Sequence, residues 1–214
     1  MMGEKKKEEY AIIHNGADKK IFYPSDDMRK IDGKIKFIMT GSFRKKVMIE
    51  PIVLALDDLR GRFDFELIVV GPVINKEIED FFKRDYITMA GSKESKEVAE
   101  VLRNSHILIH SQLNDNCPNS VLEAISCGLP IVGFDSGAMK ELLFFSPELL
   151  APTNNEIFQK YEDLDWRELK EKILLAIENY AKFKQLAMGN SRLYSMEDCG
   201  KKYVEVFERI INSQ

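Results

Sequence analysis

Short apolar runs alternate with amphipathic stretches along most of this chain. The runs "IKFIMTG" (35–41), "FELIVVG" (65–71), "DYITMAG" (85–91), "HILIHS" (106–111) and "PIVGFD" (130–135) predict strands, with "PELLAP" (147–152) a weaker sixth. Several are continuous and β-branched rather than alternating, as in strands covered on both faces. Helical spacing fills 46–60, 75–83, 93–103, 119–127 and 137–143. This rhythm argues for an α/β fold, a parallel sheet with helices on both sides. Right-handed crossovers then make it a Rossmann-like, doubly wound layer.

The end of the chain has a different pattern. "DWRELKEKILLAIENYAKFKQLAMGN" (165–190) predicts one long amphipathic helix, with Leu169, Ile173, Ala176 and Ile177 on its apolar stripe. "MEDCGKKYVEVFERIINS" (196–213) predicts another, with Tyr203, Phe207, Ile210 and Ile211 as apolar positions. Trp166 reads as a packing residue at a helix start.

Composition narrows the picture. The 214 residues are 44% hydrophobic and 31% charged, enough apolar material for a core. A net charge of −4 argues against a nucleic-acid partner, which requires a basic surface. Cys117, Cys127 and Cys199 have no metal-ligand spacing and an odd count, which fits free thiols in a reducing compartment. No apolar run is long enough to span a bilayer and "MMGEKKKEEY" lacks an apolar leader core, so the reading is cytoplasmic. His14, His106 and His110 also lack metal spacing and read as core or strand-edge residues. Cys117 has no paired base to activate it as a nucleophile.

In such a sheet, ligands bind beyond the carboxyl ends of the strands. Three loops there carry candidate chemistry. In "TGSFRKK" (40–46), Gly41 permits close backbone approach, and Arg44, Lys45 and Lys46 put cations where a diphosphate would sit. In "NDNCPNSVLEA" (114–124), Pro118 suits a first helical turn and Asn119 or Ser120 can cap it; free amides and the helix dipole favour an anion. Glu123, one turn further in, can accept hydrogen bonds from two vicinal hydroxyls, which a ribose offers. In "GFDSGAMKE" (133–141), Gly137 opens another helix beside the same cleft, with Glu141 one turn in. Each loop alone also reads as ordinary structure: a solvated basic loop, a capped helix with an incidental glutamate, and a common glycine turn.

Taken together, their order resembles the donor-binding, C-terminal half of GT-B retaining glycosyltransferases of family 4, the glycosyltransferase group 1 domain. "IIHNGADKKIFYP" (12–24) resembles the family's NGVD-x-x-x-F-x-P stretch. "FIMTGSFRKK" resembles its first strand and basic loop, and "LRNSHILIHSQLNDNCPNSVLEAISCGLPIVGFDSGAMKELL" its long signature region. There Glu123 opens the E-A-x-x-x-G-x-P run, with Ala124, Gly128 and Pro130 following. "DNCPN" is similar to a D-N-x-P-N form found in surface-polysaccharide and lipopolysaccharide transferases.

The resemblance implies that Glu123 holds the ribose hydroxyls, that Arg44 with Lys46 or Lys45 neutralises the diphosphate, and that Asp115 lies near the donor sugar. Gly41, Ser42, Asn116, Pro118, Asn119, Ser120 and Val121 are implied as further nucleotide-sugar contacts. It implies no cofactor and no metal, and it leaves base and sugar selectivity to backbone contacts and loop shape around residues 87–95 and 112–117. Three positions depart from the pattern. The first Glu of E-x7-E is Asp115, the usual R-x4-K-G is compressed to "RKKVM", and Ala138 follows Gly137 where a second glycine is common. It also implies a linker remnant at 1–24, a nucleotide-sugar domain at 25–195 and a crossing helix at 196–214. The acceptor-binding N-terminal domain is then expected to lie outside this chain, and the isolated chain to transfer sugar poorly. A peripheral membrane association is open to the full-length enzyme. The rival expectation is a non-catalytic nucleotide-sugar-binding or regulatory module of the same fold.

Overall fold

The computed structural model describes residues 11–25, 30–31, 33–154, 158 and 160–212. Its six strands are β1 (Ile35–Thr40), β2 (Phe65–Val70), β3 (Ile87–Gly91), β4 (Ile107–Ile109), β5 (Ile131–Phe134) and β6 (Leu150–Ala151). They form one parallel sheet in the order β3-β2-β1-β4-β5-β6. Register is set at the centre, where Phe37 of β1 lies opposite Leu67 of β2 and Ile107 of β4. The chain is an α/β, Rossmann-like doubly wound fold.

The helices are α1 (Glu50–Leu59), α2 (Lys76–Phe81), α3 (Ser95–Asn104), α4 (Asn119–Ser126), α5 (Met139–Leu142), α6 (Trp166–Glu178), α7 (Tyr180–Gly189) and α8 (Met196–Asn212). Successive residues of β1 point to opposite faces, which divides the core in two. Ile35, Phe37 and Met39 pack with Ile52 and Leu56 of α1 and Leu169 and Ile173 of α6. Ile38 packs with Leu102 of α3, Val121 and Ile125 of α4, and Leu142 of α5. Phe37, Ile38 and Met39 are fully buried, each worth about 1.5–3 kcal/mol of transfer free energy. This two-sided demand explains why the β1 run is continuously apolar.

Local structure departs from the sequence pattern in three places. The stretch expected to be helical from 46 starts instead with a short 3-10 turn, Lys46–Met48, and α1 begins at Glu50 with Pro51 in its first turn. Proline lacks the donor that an earlier start would use. The long helix expected over 165–190 breaks at Asn179, which ends α6 and starts α7. Asn179 Nδ2 donates to the Leu175 carbonyl at 3.2 Å, a side chain competing with the helix ladder. The break also swings Tyr180 onto His106, edge-on at 5.7 Å. Over 147–152 only Leu150–Ala151 is strand, after a 3-10 turn at Pro147–Leu149.

The segment before the sheet is tied to the end of the chain. Ala17 N–H donates to the Tyr194 carbonyl at 3.0 Å, and Met196 N–H donates to the Ala17 carbonyl at 3.1 Å. Among its described residues α8 buries none, and Tyr203, Phe207, Ile210 and Ile211 are each about half exposed or more.

Candidate functional site

The strand order reverses direction between β1 and β4, so the crevice of the fold opens beyond their carboxyl ends. On the β1 side it is floored by glycine. Gly41 N–H donates to the Val70 carbonyl at 3.1 Å, and Gly71 N–H to the Gly91 carbonyl at 2.8 Å. Gly71 has φ +131°, and a Cβ there would fall 1.8 Å from the Gly41 carbonyl oxygen. Only a hydrogen fits between these two loops, so backbone lies where side chains would otherwise fill the crevice mouth.

On the β4 side, the loop 113–118 is wired before it enters α4. Asn114 sits at φ 58°, a left-handed position that asparagine tolerates. Its N–H donates to Ser136 Oγ at 3.0 Å. Asp115 turns its own carboxylate back, accepting from Cys117 N–H at 3.0 Å, and its carbonyl accepts from Ala138 N–H at 3.0 Å. Gly137, at φ +60°, meets that carbonyl so closely that a Cβ would stand 2.3 Å from it. The two loops thus approach as one backbone layer. Asn15 adds a strut from the N-terminal segment, donating to the Cys117 carbonyl at 3.4 Å and to Asn119 Oδ1 at 3.3 Å. His14 Nε2 meets Glu141 at 2.8 Å.

The structure corrects the capping expected of α4. Pro118 is itself the N-cap residue, and no side chain, Asn119 and Ser120 included, caps the helix. The Pro118 carbonyl accepts from Val121 and Leu122 N–H at 3.1 and 3.2 Å. Asn119 instead serves as acceptor to Asn15, and the first amides of α4 point out of the helix beside the crevice. With the helix dipole, that end favours an anion.

Glu123 lies one turn inside α4, in a cavity of about 220 Å³ with Thr40, Gly41, Gly71, Lys93 and Ser120. Burial pushes its carboxyl from 4.5 up to about 7, and among the described residues no ion pair reaches it. Thr40 Oγ1, on the same wall, is buried with no hydrogen-bond partner among the described residues. Of the residues named from sequence, Gly41, Ser120 and Glu123 meet in this cavity. Thr40 and Gly71 join them without having been singled out, and Lys93 joins them from the stretch 87–95 expected to bear on base and sugar selectivity. The glycine closing each strand run was the available signal for Gly71, and the polar loop after "ITMAG" the signal for Lys93.

The cationic loop lies to one side. Arg44 and Lys45 are exposed, and Arg44 Nε is 3.4 Å from Ser42 Oγ. Lys46 is drawn the other way, with Nζ 3.2 Å from Glu50 and 4.8 Å from the centre of the Phe81 ring. Asp115, Asn116, Pro118, Asn119 and Val121 belong to the α4 entry rather than to the cavity wall.

His106 and His110 are buried, as the sequence suggested. His106 Nδ1 accepts from Lys36 N–H at 2.9 Å. His110 Nε2 has no partner among the described residues, and burial holds its pKa down at about 4. Burial raises the Cys117 thiol, the wrong direction for a nucleophile. Among the described residues no group of three or more His, Cys, Asp and Glu can hold a metal ion, and no helix is long and apolar enough to cross a membrane. A larger cavity, of about 920 Å³, lies elsewhere, between Lys19, Ser126, Met188 and the first turns of α8.

Comparison with known proteins agrees with this fold. The family model described as glycosyl transferases group 1 matches residues 25–190. One subunit of the human phosphatidylinositol N-acetylglucosaminyltransferase is 26% identical over 137 residues, 62% of this chain and 28% of that protein. Sucrose-phosphate synthase of Thermosynechococcus elongatus superposes with a TM-score of 0.74 at 19% identity, over 94% of this chain and 53% of its own. HepE of Anabaena, in its complex with UDP-glucose, superposes with a TM-score of 0.72 at 15% identity, over 93% of this chain and 57% of its own. The chain therefore spans about half the length of those structures and less of the curated relative. With a six-stranded parallel sheet, a glycine-floored crevice and a family model that covers most of its length, the chain belongs to the glycosyl transferases group 1 family.

Proposed function

We propose that this chain is the donor-binding, C-terminal half of a retaining family 4 glycosyltransferase of hexosyltransferase type, and that its crevice takes a nucleoside-diphosphate sugar. Glu123 carries the reading. Its carboxylate is held in a cavity at the switch point, against its own ionisation, beside an uncapped helix N-terminus. A ligand that brings hydrogen bonds to that carboxylate offsets its burial, and the vicinal hydroxyls of a ribose do so in pairs. HepE of Anabaena in complex with UDP and glucose, and with UDP-glucose, supports the same class of ligand.

The remaining roles follow from charge. As the bond between sugar and phosphate breaks, negative charge grows on the departing diphosphate. The α4 N-terminus at Pro118 to Val121 and the cations Arg44 and Lys45 or Lys46 stabilise that charge, and Gly41 and Ser42 leave room for it. Asp115 and Asn116 lie toward the donor sugar. These cations and amides balance the leaving group without a metal or other cofactor. The acceptor belongs to a second, N-terminal domain, with residues 1–24 as the linker, 25–195 as the donor domain and 196–214 as a helix crossing back. The name of the human relative, a phosphatidylinositol N-acetylglucosaminyltransferase subunit, supports a glycolipid product; a surface polysaccharide, and assembly at the cytoplasmic face of a membrane, belong to the same reading.

The test is the thermal midpoint of the chain with UDP, GDP, ADP and CDP, with and without Glu123→Ala. A ligand at about 100 times its dissociation constant adds about 2.7 kcal/mol. In a chain of this size that raises the midpoint by about 5–10 °C. A rise that vanishes in Glu123→Ala supports the reading; equal rises in both proteins, or none in either, overturn it. Efficient transfer to an acceptor by the 214-residue chain alone would remove the need for a second domain.

One observation favours a second reading, a binding or regulatory module without transfer. Lys46 is engaged by Glu50 and Phe81, and Arg44 is exposed. Sugar transfer by the full-length protein that is lost with Arg44→Ala eliminates that reading.

A further inference from the structure

Resting on the nucleotide-sugar reading of the cavity, we propose that Lys93 determines base specificity, selecting nucleotides whose base offers a carbonyl rather than an amino group at its outer edge. The argument begins with the start of α3. Glu94 and Glu97 form a capping box there, and the Glu94 N–H donates to Glu97 at 3.0 Å. That bond fixes the Glu97 carboxylate. Lys93 Nζ lies 3.5 Å from the same carboxylate, an i,i+4 pair. The ammonium is therefore tethered on one side by a group that the helix end holds in place. Its side chain is only 25% exposed, low for a lysine on a helix entry, because it forms part of the wall of the cavity that contains Glu123.

Size assigns the parts of the ligand. About 220 Å³ is below the roughly 300–1,000 Å³ of pockets that enclose a drug-sized molecule. The cavity suits a nucleoside, leaving diphosphate and sugar in the open crevice beside the α4 N-terminus. With the ribose at Glu123, the base extends toward the loop after β3, where Ser92 and Lys93 line the wall.

Chemistry then selects among bases. A lysine ammonium has three donors and no acceptor. Uracil and guanine present a carbonyl oxygen at the 4 or 6 position, where cytosine and adenine present an amino group that is itself a donor. An ammonium meets the first pair with a charge-assisted hydrogen bond and the second with two donors facing each other. Glu97, half exposed and 3.5 Å away, biases the ammonium toward this position without holding it rigidly.

The experiment measures dissociation constants of UDP, GDP, CDP and ADP for the intact chain by calorimetry, in wild type, Lys93→Met and Glu123→Ala. Methionine keeps the length and apolar stem of lysine but carries no donor. The expected result is that wild type prefers UDP or GDP over CDP and ADP by about tenfold or more, the worth of one hydrogen bond to a charged group. In Lys93→Met that preference collapses, because UDP and GDP weaken while CDP and ADP hold or tighten. Equal weakening of all four would overturn the proposal and assign Lys93 to the diphosphate. An unchanged preference would overturn it as well, leaving backbone contacts to read the base. In both of those outcomes the nucleotide site itself survives, provided Glu123→Ala abolishes binding. If wild type binds none of the four, the reading of the cavity falls and the base proposal falls with it.

Discussion

Replacing Glu123 with glutamine is expected to stabilise the ligand-free chain, and to do so only when the pH is high enough to ionise the native carboxylate. Burial raises that carboxyl from 4.5 to about 7. The folded state therefore keeps its proton where the unfolded chain has lost it. Stability is then greatest below about pH 4.5, falls as pH rises toward 7, and is flat above. At about 1.36 kcal/mol per pKa unit the loss is about 3 kcal/mol at most, since the carboxylate keeps some solvent at the cavity mouth. Glutamine has nothing to ionise and does not lose it.

Wild type alone does not display this slope, because His110 opposes it. Its pKa is held down from 6.5 to about 4, so its contribution is lost as pH falls through the same window. The informative quantity is the difference between variant and wild type in urea or thermal unfolding, from pH 4.5 to 8. We expect it to grow from near zero to about 5–10 °C in midpoint. A difference independent of pH, or a wild type more stable than the variant at pH 8, would refute an uncompensated carboxylate. Adding the nucleotide that binds best should shrink the gap at pH 8, since ribose hydroxyls repay wild type for the buried charge.

Three other outcomes follow from the geometry. His110→Leu removes the opposing contribution, so its midpoint relative to wild type should rise as pH falls from 6.5 to 4, and a difference between the two proteins that does not change with pH would refute the buried neutral imidazole. Gly71→Ala forces a methyl against the Gly41 carbonyl at a positive φ and should cost about 2–4 kcal/mol in urea unfolding, together with nucleotide binding; a neutral effect would mean the two loops are not in contact. Arg44→Ala should weaken binding of a nucleoside diphosphate but not of the bare nucleoside, and Lys46→Ala should do so less because Lys46 is already paired with Glu50. Titration of both ligands reads the difference.

The fold was legible because it rests on periodicity. Continuous apolar runs separated by amphipathic ones admit few arrangements, and the strands at 35–41, 65–71 and 106–111 recur within a residue or two. Of the site, Glu123 and Gly41 were legible as a carboxylate one turn inside a helix and a glycine at a strand end. Thr40 and Gly71 were not, because each looks ordinary within its own segment, and Lys93 was legible only as one member of the stretch 87–95. They become wall residues only when β1, β2 and the β3–α3 loop lie side by side. The break at Asn179 was hidden for a related reason. The apolar stripe continues through it, and the competing side-chain hydrogen bond has no periodic signature.

By itself, then, the sequence determined the class of fold, the succession of its elements and the family to which they belong, since these depend on the spacing of apolar residues and on contiguous motifs. The tertiary structure alone decided which strand ends meet at the switch point, which amides of α4 remain uncapped, and that Glu123 is buried enough to resist ionisation. Those properties depend on distances between segments far apart in the chain and on how much water the assembled walls exclude, neither of which is encoded within any one segment.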